Sequence, residues 1–162
     1  MSSRRWVVDA SPVIVLAEAG HAELLAELAS ELVVPEAVRK EVSRGEENDA
    51  ARRWLRGEGR AFVQPADTVA AIASWDLGPG ESATLSWAKQ RASWEAIVDD
   101  RAARRCAQAL NVEVRGTLGV LLLAKREGAV SHVRPLLEDV VAAGLYVSDT
   151  LFQTVLRLAD EE

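Results

Sequence analysis

Short apolar runs alternate with longer amphipathic stretches along the whole chain. Trp6-Val7-Val8, the run 31–34, Ala61-Phe62-Val63, Ala96-Ile97-Val98 and Val112-Glu113-Val114 are brief and rich in β-branched or aromatic residues, which predicts strands. The stretches between them predict helices over 12–29, 35–43, 49–58, 68–74, 81–91, 101–110 and 117–127, with two more over 131–143 and 149–160. Strands separated by helices require crossover connections, so the class is α/β with a mostly parallel sheet covered by helices. In such sheets ligands bind at the carboxyl ends of the strands.

The chain has 162 residues, enough for one domain with a sizeable core, and shows no repeat, linker or low-complexity tract. Its 49% hydrophobic and 27% charged residues suit a water-soluble globular protein. No apolar run approaches the roughly 20 residues that cross a bilayer. The start, MSSRRWVVDAS, lacks the apolar core of a secretory signal, which leaves a cytoplasmic protein as the simplest expectation. Cys106 is the one cysteine, which excludes an internal disulfide framework and a cysteine metal cage. The formal charge is −6, mildly against a nucleic-acid partner. Acids gathered around cations would be neutralised, however, leaving nearby arginines to act.

Where the acids stand therefore matters. Asp9 ends the first strand, while Ser11-Pro12 already reads as a helix cap followed by proline at the first helical position. Asp9 is surplus to capping. Glu41 lies seven residues after Val34 in the series Val34, Val38, Val42, on the face expected to turn inward, where a carboxylate needs a partner or a cation. Glu81 follows the tight approach Leu77-Gly78-Pro79-Gly80 and opens its helix, a position that also suits the helix dipole. Asp99 and Asp100 follow Ala96-Ile97-Val98; one of them can cap the helix beginning near Arg101, and the spacing does not say which. Four acidic stations with no cysteine and few histidines favour a hard, oxygen-preferring ion, Mg²⁺ or Mn²⁺. Such ions serve phosphodiester hydrolysis.

Five segments in order resemble the PIN domain: Val8-Asp9-Ala10-Ser11-Pro12, Val34 to Val38 with Glu41, Leu77 to Ser82, Val98 to Arg104, and Arg115 to Leu121. More narrowly, they resemble a bacterial and archaeal branch of PIN-like proteins, from residue 6 to about 158. The resemblance implies a three-layer α/β/α sandwich and a metal-dependent ribonuclease of the kind used as the toxin of a toxin–antitoxin pair. It places the family's acids on Asp9, Glu41, Glu81 and either Asp99 or Asp100, with Ser11 and Thr117 as small hydroxyls lining the site. It also implies single-stranded RNA as substrate, a cognate antitoxin and a homodimer. Two departures stand out: Glu81 is one methylene longer than the more usual Asp, and the helices over 131–160 extend past the minimal core.

Arg101, Arg104 and Arg105 open the helix after the paired acids and can hold a phosphate backbone, as can Arg115, Lys125 and Arg126. The five tryptophans, Trp6, Trp54, Trp75, Trp87 and Trp94, read as packing residues, because none sits in a basic-aromatic repeat. His21 and His132 have no partner at ligand spacing, and Cys106 reads as buried and inert. Two other uses of carboxylates fail on position. A phosphoacceptor receiver needs its acidic pair near the first strand, and an aspartyl-nucleophile phosphatase needs a second Asp where Ser11 stands. A PIN-like module that binds RNA or protein without cutting remains the second expectation.

Overall fold

The computed structural model describes residues 3–45 and 49–162. Strands β1 (Arg5–Val8), β2 (Glu31–Pro35), β3 (Val63–Gln64), β4 (Trp94–Ile97) and β5 (Glu113–Arg115) form one sheet in the order β3-β2-β1-β4-β5. Every pairing is parallel. Parallel neighbours cannot be joined by tight turns, so helices carry the chain back each time. They are α1 (Ala10–Glu18), α2 (Glu23–Leu28), α3 (Glu36–Arg44), α4 (Asp49–Arg56), α5 (Ala70–Ala73) and α6 (Pro79–Gln90). After β4 come α7 (Arg101–Ala109), α8 (Thr117–Arg126), α9 (Arg134–Ala142) and α10 (Asp149–Leu158).

Alternation along the strands divides the core in two. Trp6, Val8, Val34 and Ile97 face one way and pack with Leu16 of α1, Leu25 of α2, Leu121 of α8, Leu137 of α9 and Leu156 of α10. Val7, Val33, Ala96 and Val98 face the other way, onto Ile72 of α5, Leu85 of α6 and Cys106 of α7. A sheet buried on both faces between helical layers is the α/β/α sandwich expected. The two last helices thus share the core of β1. Among the described residues, no helix is long and apolar enough to cross a membrane.

Three elements differ from the periodicity reading. The helix expected over 12–29 is two helices, because Gly20 takes the left-handed conformation (φ +83°) and stops α1. There the Gly20 N–H donates to Ala17 O at 3.0 Å and the His21 N–H to Leu16 O at 2.7 Å, a Schellman stop. The strand expected at 61–63 is mostly a 3₁₀ helix, Glu58–Phe62, since Phe62 leaves the sheet to stack on Trp54 with ring centroids 6.2 Å apart. The helix expected from residue 131 begins at Arg134.

That late start has a visible cause at the far end of the chain. Glu161 accepts from the Val133 N–H at 2.6 Å and the Arg134 N–H at 3.0 Å, and pairs with Lys125 Nζ at 2.9 Å. It caps α9 from outside. Burial raises its pKa, but these two backbone donors and the lysine more than reverse that, bringing it down to about 2. A depressed carboxylate stabilises the fold above its unfolded value of 4.5 and loses that contribution as pH falls towards 2. Glu161→Gln is therefore expected to lower stability by roughly 1–3 kcal/mol at pH 7. In thermal melts, the gap from the parent should narrow below pH 4.5.

Candidate active site

The chain runs outward from β1 through β2 to β3 and then returns to the other side of β1 for β4. The sheet's switch point therefore lies between β1 and β4, where open parallel sheets bind ligands at the carboxyl ends. Asp9 follows β1 directly, and its N–H donates to Ile97 O at 3.1 Å, tying the two strand ends together. The residue is 4% exposed. Asp9 occupies the cap position of α1 but makes no side-chain cap bond, and its Oδ1 has no hydrogen-bond partner. The expectation that Ser11-Pro12 caps this helix is corrected: α1 already begins at Ala10, and Ser11 lies exposed in its first turn.

Gly80, the second residue of α6, brings a second acid to Asp9. A Cβ on Gly80 would stand 2.9 Å from Glu41 Oε1 and 3.4 Å from Asp9 Oδ1. Both oxygens thus converge on space left open by a missing side chain, close to the positive end of α6. Glu41 as a residue is exposed rather than turned inward as its spacing implied; Val38 and Val42 take the buried face of α3, and only the carboxylate tip reaches the site.

Glu81 comes next on α6, half-buried, with Oε2 enclosed and unpartnered. Burial first, then the charges of Asp9 and Asp100, a hydrogen bond with Asp100, and the charge of Glu41 push its pKa up to about 7. Asp9 is likewise raised to about 7, by burial above all, with the Ala10 N–H opposing and Glu41, Asp100 and Asp99 adding repulsion. Two enclosed carboxylates held near neutrality by burial and by each other mark a functional site more often than a structural one.

The paired aspartates divide the work. Asp100 caps its own helix, its Oδ2 accepting from the Ala103 N–H at 3.0 Å, and it also faces Glu81. Asp99 caps the following helix instead: Oδ1 accepts from the Thr117 N–H at 2.8 Å and Oδ2 from the Thr117 hydroxyl at 2.7 Å. Thr117 is fully buried. Both oxygens of Asp99 are occupied, whereas Asp100 keeps an oxygen for the acidic cluster.

Arg104 of α7 donates to Val98 O at 3.1 Å, which holds its guanidinium beside the end of β4. A Cβ on Gly116 would lie 2.9 Å from Arg104 Nη1 and 3.0 Å from Asp99 Oδ1, so this glycine makes room for both. Gly116 lies in the fifth of the PIN-like segments, but its role depends on Asp99 and Arg104, which only the fold brings to it. Arg101 and Arg105 are exposed on α7 and line a neighbouring hollow with Arg104. Trp6 spends its indole N–H on Glu95 at 2.9 Å, as packing residues do.

Among the described residues, no three acidic, histidine or cysteine side chains are gathered into a complete metal-ligand set. The acids instead meet in pairs, Asp9 with Glu41 at Gly80, and Glu81 with Asp100. The donors nevertheless suit a hard divalent cation: all are carboxylates, two carry enclosed unpartnered oxygens, and a cation between them would offset their mutual repulsion.

No curated protein sequence matches the chain. A family model described as a PIN domain, DUF3368, matches residues 5–161. PIN domains are generally nucleases, and the match runs from β1 past the end of α10. The chain belongs to the PIN-domain family.

Proposed function

We propose that this protein is a metal-dependent endoribonuclease acting on single-stranded RNA, the toxin of a toxin–antitoxin pair. The observation that carries the reading is the meeting of Asp9 with Glu41, and of Glu81 with Asp100, at the switch point, with two enclosed carboxylate oxygens left unpartnered. Asp9, Glu81 and Asp100 would hold Mg²⁺ or Mn²⁺, with Glu41 beside Asp9. When bound, the ion supplies Lewis-acid polarisation of a phosphodiester oxygen and acidifies a water. Arg104, held beside the end of β4, would orient a phosphate, with Arg101 and Arg105 extending the cationic surface along α7. Asp99 and Thr117 fix the edge against which Arg104 rests. Ser11, exposed two residues after Asp9, would stand at the rim. A cytoplasmic homodimer with a cognate antitoxin completes the proposal.

Purified protein incubated with labelled single-stranded RNA and Mn²⁺ is expected to shorten the RNA, and EDTA to stop it. Intact RNA in both lanes would sink the reading. One observation favours a PIN-fold module that binds without cutting: the acids meet in pairs rather than as a closed ligand set. It expects RNA retention in a gel shift that is indifferent to both Mn²⁺ and EDTA.

A further inference from the structure

Next to the paired aspartates, a hollow of about 510 Å³ is lined by Glu95, Asp99, Arg104 and Arg115, with Leu118 and Leu151 as its aliphatic wall. That size suits a small ligand or one nucleobase. Its charges are of both signs. A purely anionic occupant would meet Glu95 and Asp99, and a purely cationic one Arg104 and Arg115. Asp99 has both oxygens engaged with Thr117, and Arg104 is held on Val98 O. Glu95 and Arg115 are the pair with groups to spare.

That pair is built as a unit. Glu95 lies on β4 and Arg115 on β5, which are neighbouring parallel strands. Arg115 Nε donates to Glu95 Oε1 at 2.9 Å, and the same oxygen accepts from the indole N–H of fully buried Trp6, also at 2.9 Å. The arginine stem passes over Gly119, where a Cβ would stand 2.8 Å from Arg115 Cγ. The Arg115 and Glu95 side chains are 31% and 18% exposed, so the pair is held in place yet reachable. Its internal bonds use Nε and Oε1. Both Arg115 Nη nitrogens and Glu95 Oε2 are left for a ligand, two donors beside an acceptor.

A matching ligand presents two neighbouring acceptors beside a donor. Guanine does so with N7 and O6 next to N1–H and N2–H₂, and an arginine fork on N7 and O6 is the commonest specific contact to a base. Adenine interposes its amino group between N7 and N1, and uracil interposes N3–H between O4 and O2. Cytosine offers O2 and N3 beside N4–H₂, one donor fewer than guanine. We propose that this hollow is a guanine-reading subsite for single-stranded RNA, with Arg115 on N7 and O6 and Glu95 Oε2 accepting from the N1–H and N2–H₂ edge. A base splayed out of a single strand can be read this way on its edges while its face lies on apolar side chains, here Leu118 and Leu151. Arg115 and Glu95 are then specificity-determining residues. The inference deepens the ribonuclease reading and rests on it for the choice of RNA.

The test is binding without cleavage. Fluorescein-labelled UUGUU, UUCUU, UUAUU and UUUUU are titrated with the full chain in EDTA and followed by anisotropy. UUGUU is expected to bind at least about tenfold tighter than UUAUU and UUUUU, a difference of about 1.4 kcal/mol, with UUCUU between. Arg115→Lys and Glu95→Gln should bring the four affinities together while UUUUU binding changes less than about threefold. Gly119→Ala, which crowds the Arg115 stem but suits a helix, should lose the preference as well. A contact to phosphate alone would instead weaken all four oligomers alike in the variants, and that result would overturn the inference. Equal binding of the four by the parent, tighter binding of UUCUU than UUGUU, or a guanine preference that survives the variants would also overturn it, and each leaves the ribonuclease reading standing. If no oligomer binds, the subsite is rejected, and the Mn²⁺ cleavage assay decides whether the ribonuclease reading falls with it.

Discussion

Replacing Asp9 by Asn is expected to cut RNA cleavage by roughly two to three orders of magnitude and, in EDTA, to make the protein more stable above pH 7. The two effects have one cause. Asp9 is buried at the strand end with an unpartnered Oδ1 and other carboxylates around it, which raises its pKa from 3.8 to about 7. A carboxyl group with a raised folded-state pKa favours the fold below its unfolded value, and that advantage disappears as pH rises through the folded value. Above pH 7 the parent therefore carries a buried charge that Asn removes, a gain on the order of 1–3 kcal/mol. The gain should shrink between pH 7 and 3.8 and vanish below that. Cleavage should fall roughly 10²–10³-fold, the size of effect seen when one preorganised charge-stabilising group is lost.

Added Mn²⁺ should invert the stability order at pH 8. An ion that binds only the folded parent stabilises it by mass action, and the variant forgoes that gain. Thermal melts of both proteins at pH 5 and pH 8, with EDTA and with Mn²⁺, separate the possibilities. A variant that stays the less stable of the two in EDTA at pH 8 would show that the Asp9 carboxylate is well satisfied and not held for a cation. Glu81, also raised to about 7 and coupled to Asp9, titrates with it, so the parent's own stability should decline from pH 5 to pH 8 in EDTA.

The sandwich was legible because strand and helix lengths follow from local pattern. Asp9 was legible because an acid at the end of a buried strand conflicts with that pattern. Other features depend on partners distant in the chain, which periodicity does not contain. Glu41 lies on the inward side by spacing, yet what brings its tip to Asp9 is the missing side chain of Gly80, some forty residues on. The start of α9 is set by Glu161, at the opposite end of two helices. The division between Asp99 and Asp100 was undecidable for the same reason. Both follow the same strand, and only the fold brings Thr117 within 2.8 Å of one of them.

That division gives the second large effect. Asp99→Ala removes the side-chain cap of α8, a loss of about 1 kcal/mol, and it also strands the buried Thr117 hydroxyl, which donates to Asp99. A stranded buried donor costs a further ~1–3 kcal/mol, so stability should drop by roughly 2–4 kcal/mol and the melting temperature by roughly 5–15 °C for a chain of this size. Thr117→Val removes the other partner's hydroxyl. The double variant should lose less than the sum of the two singles, which a double-mutant cycle in urea measures directly. Asp100→Asn should behave differently. Its amide oxygen can still accept from Ala103, so the cap on α7 survives while one carboxylate of the cluster is gone. The expected outcome is a folded protein with a near-parental melting temperature and little RNA turnover. If Asp99→Ala instead kept full stability and lost only turnover, Asp99 would be the fourth acid and Asp100 only a cap. The two substitutions therefore decide between the neighbours by opposite signatures, one in the melt and one on the RNA gel.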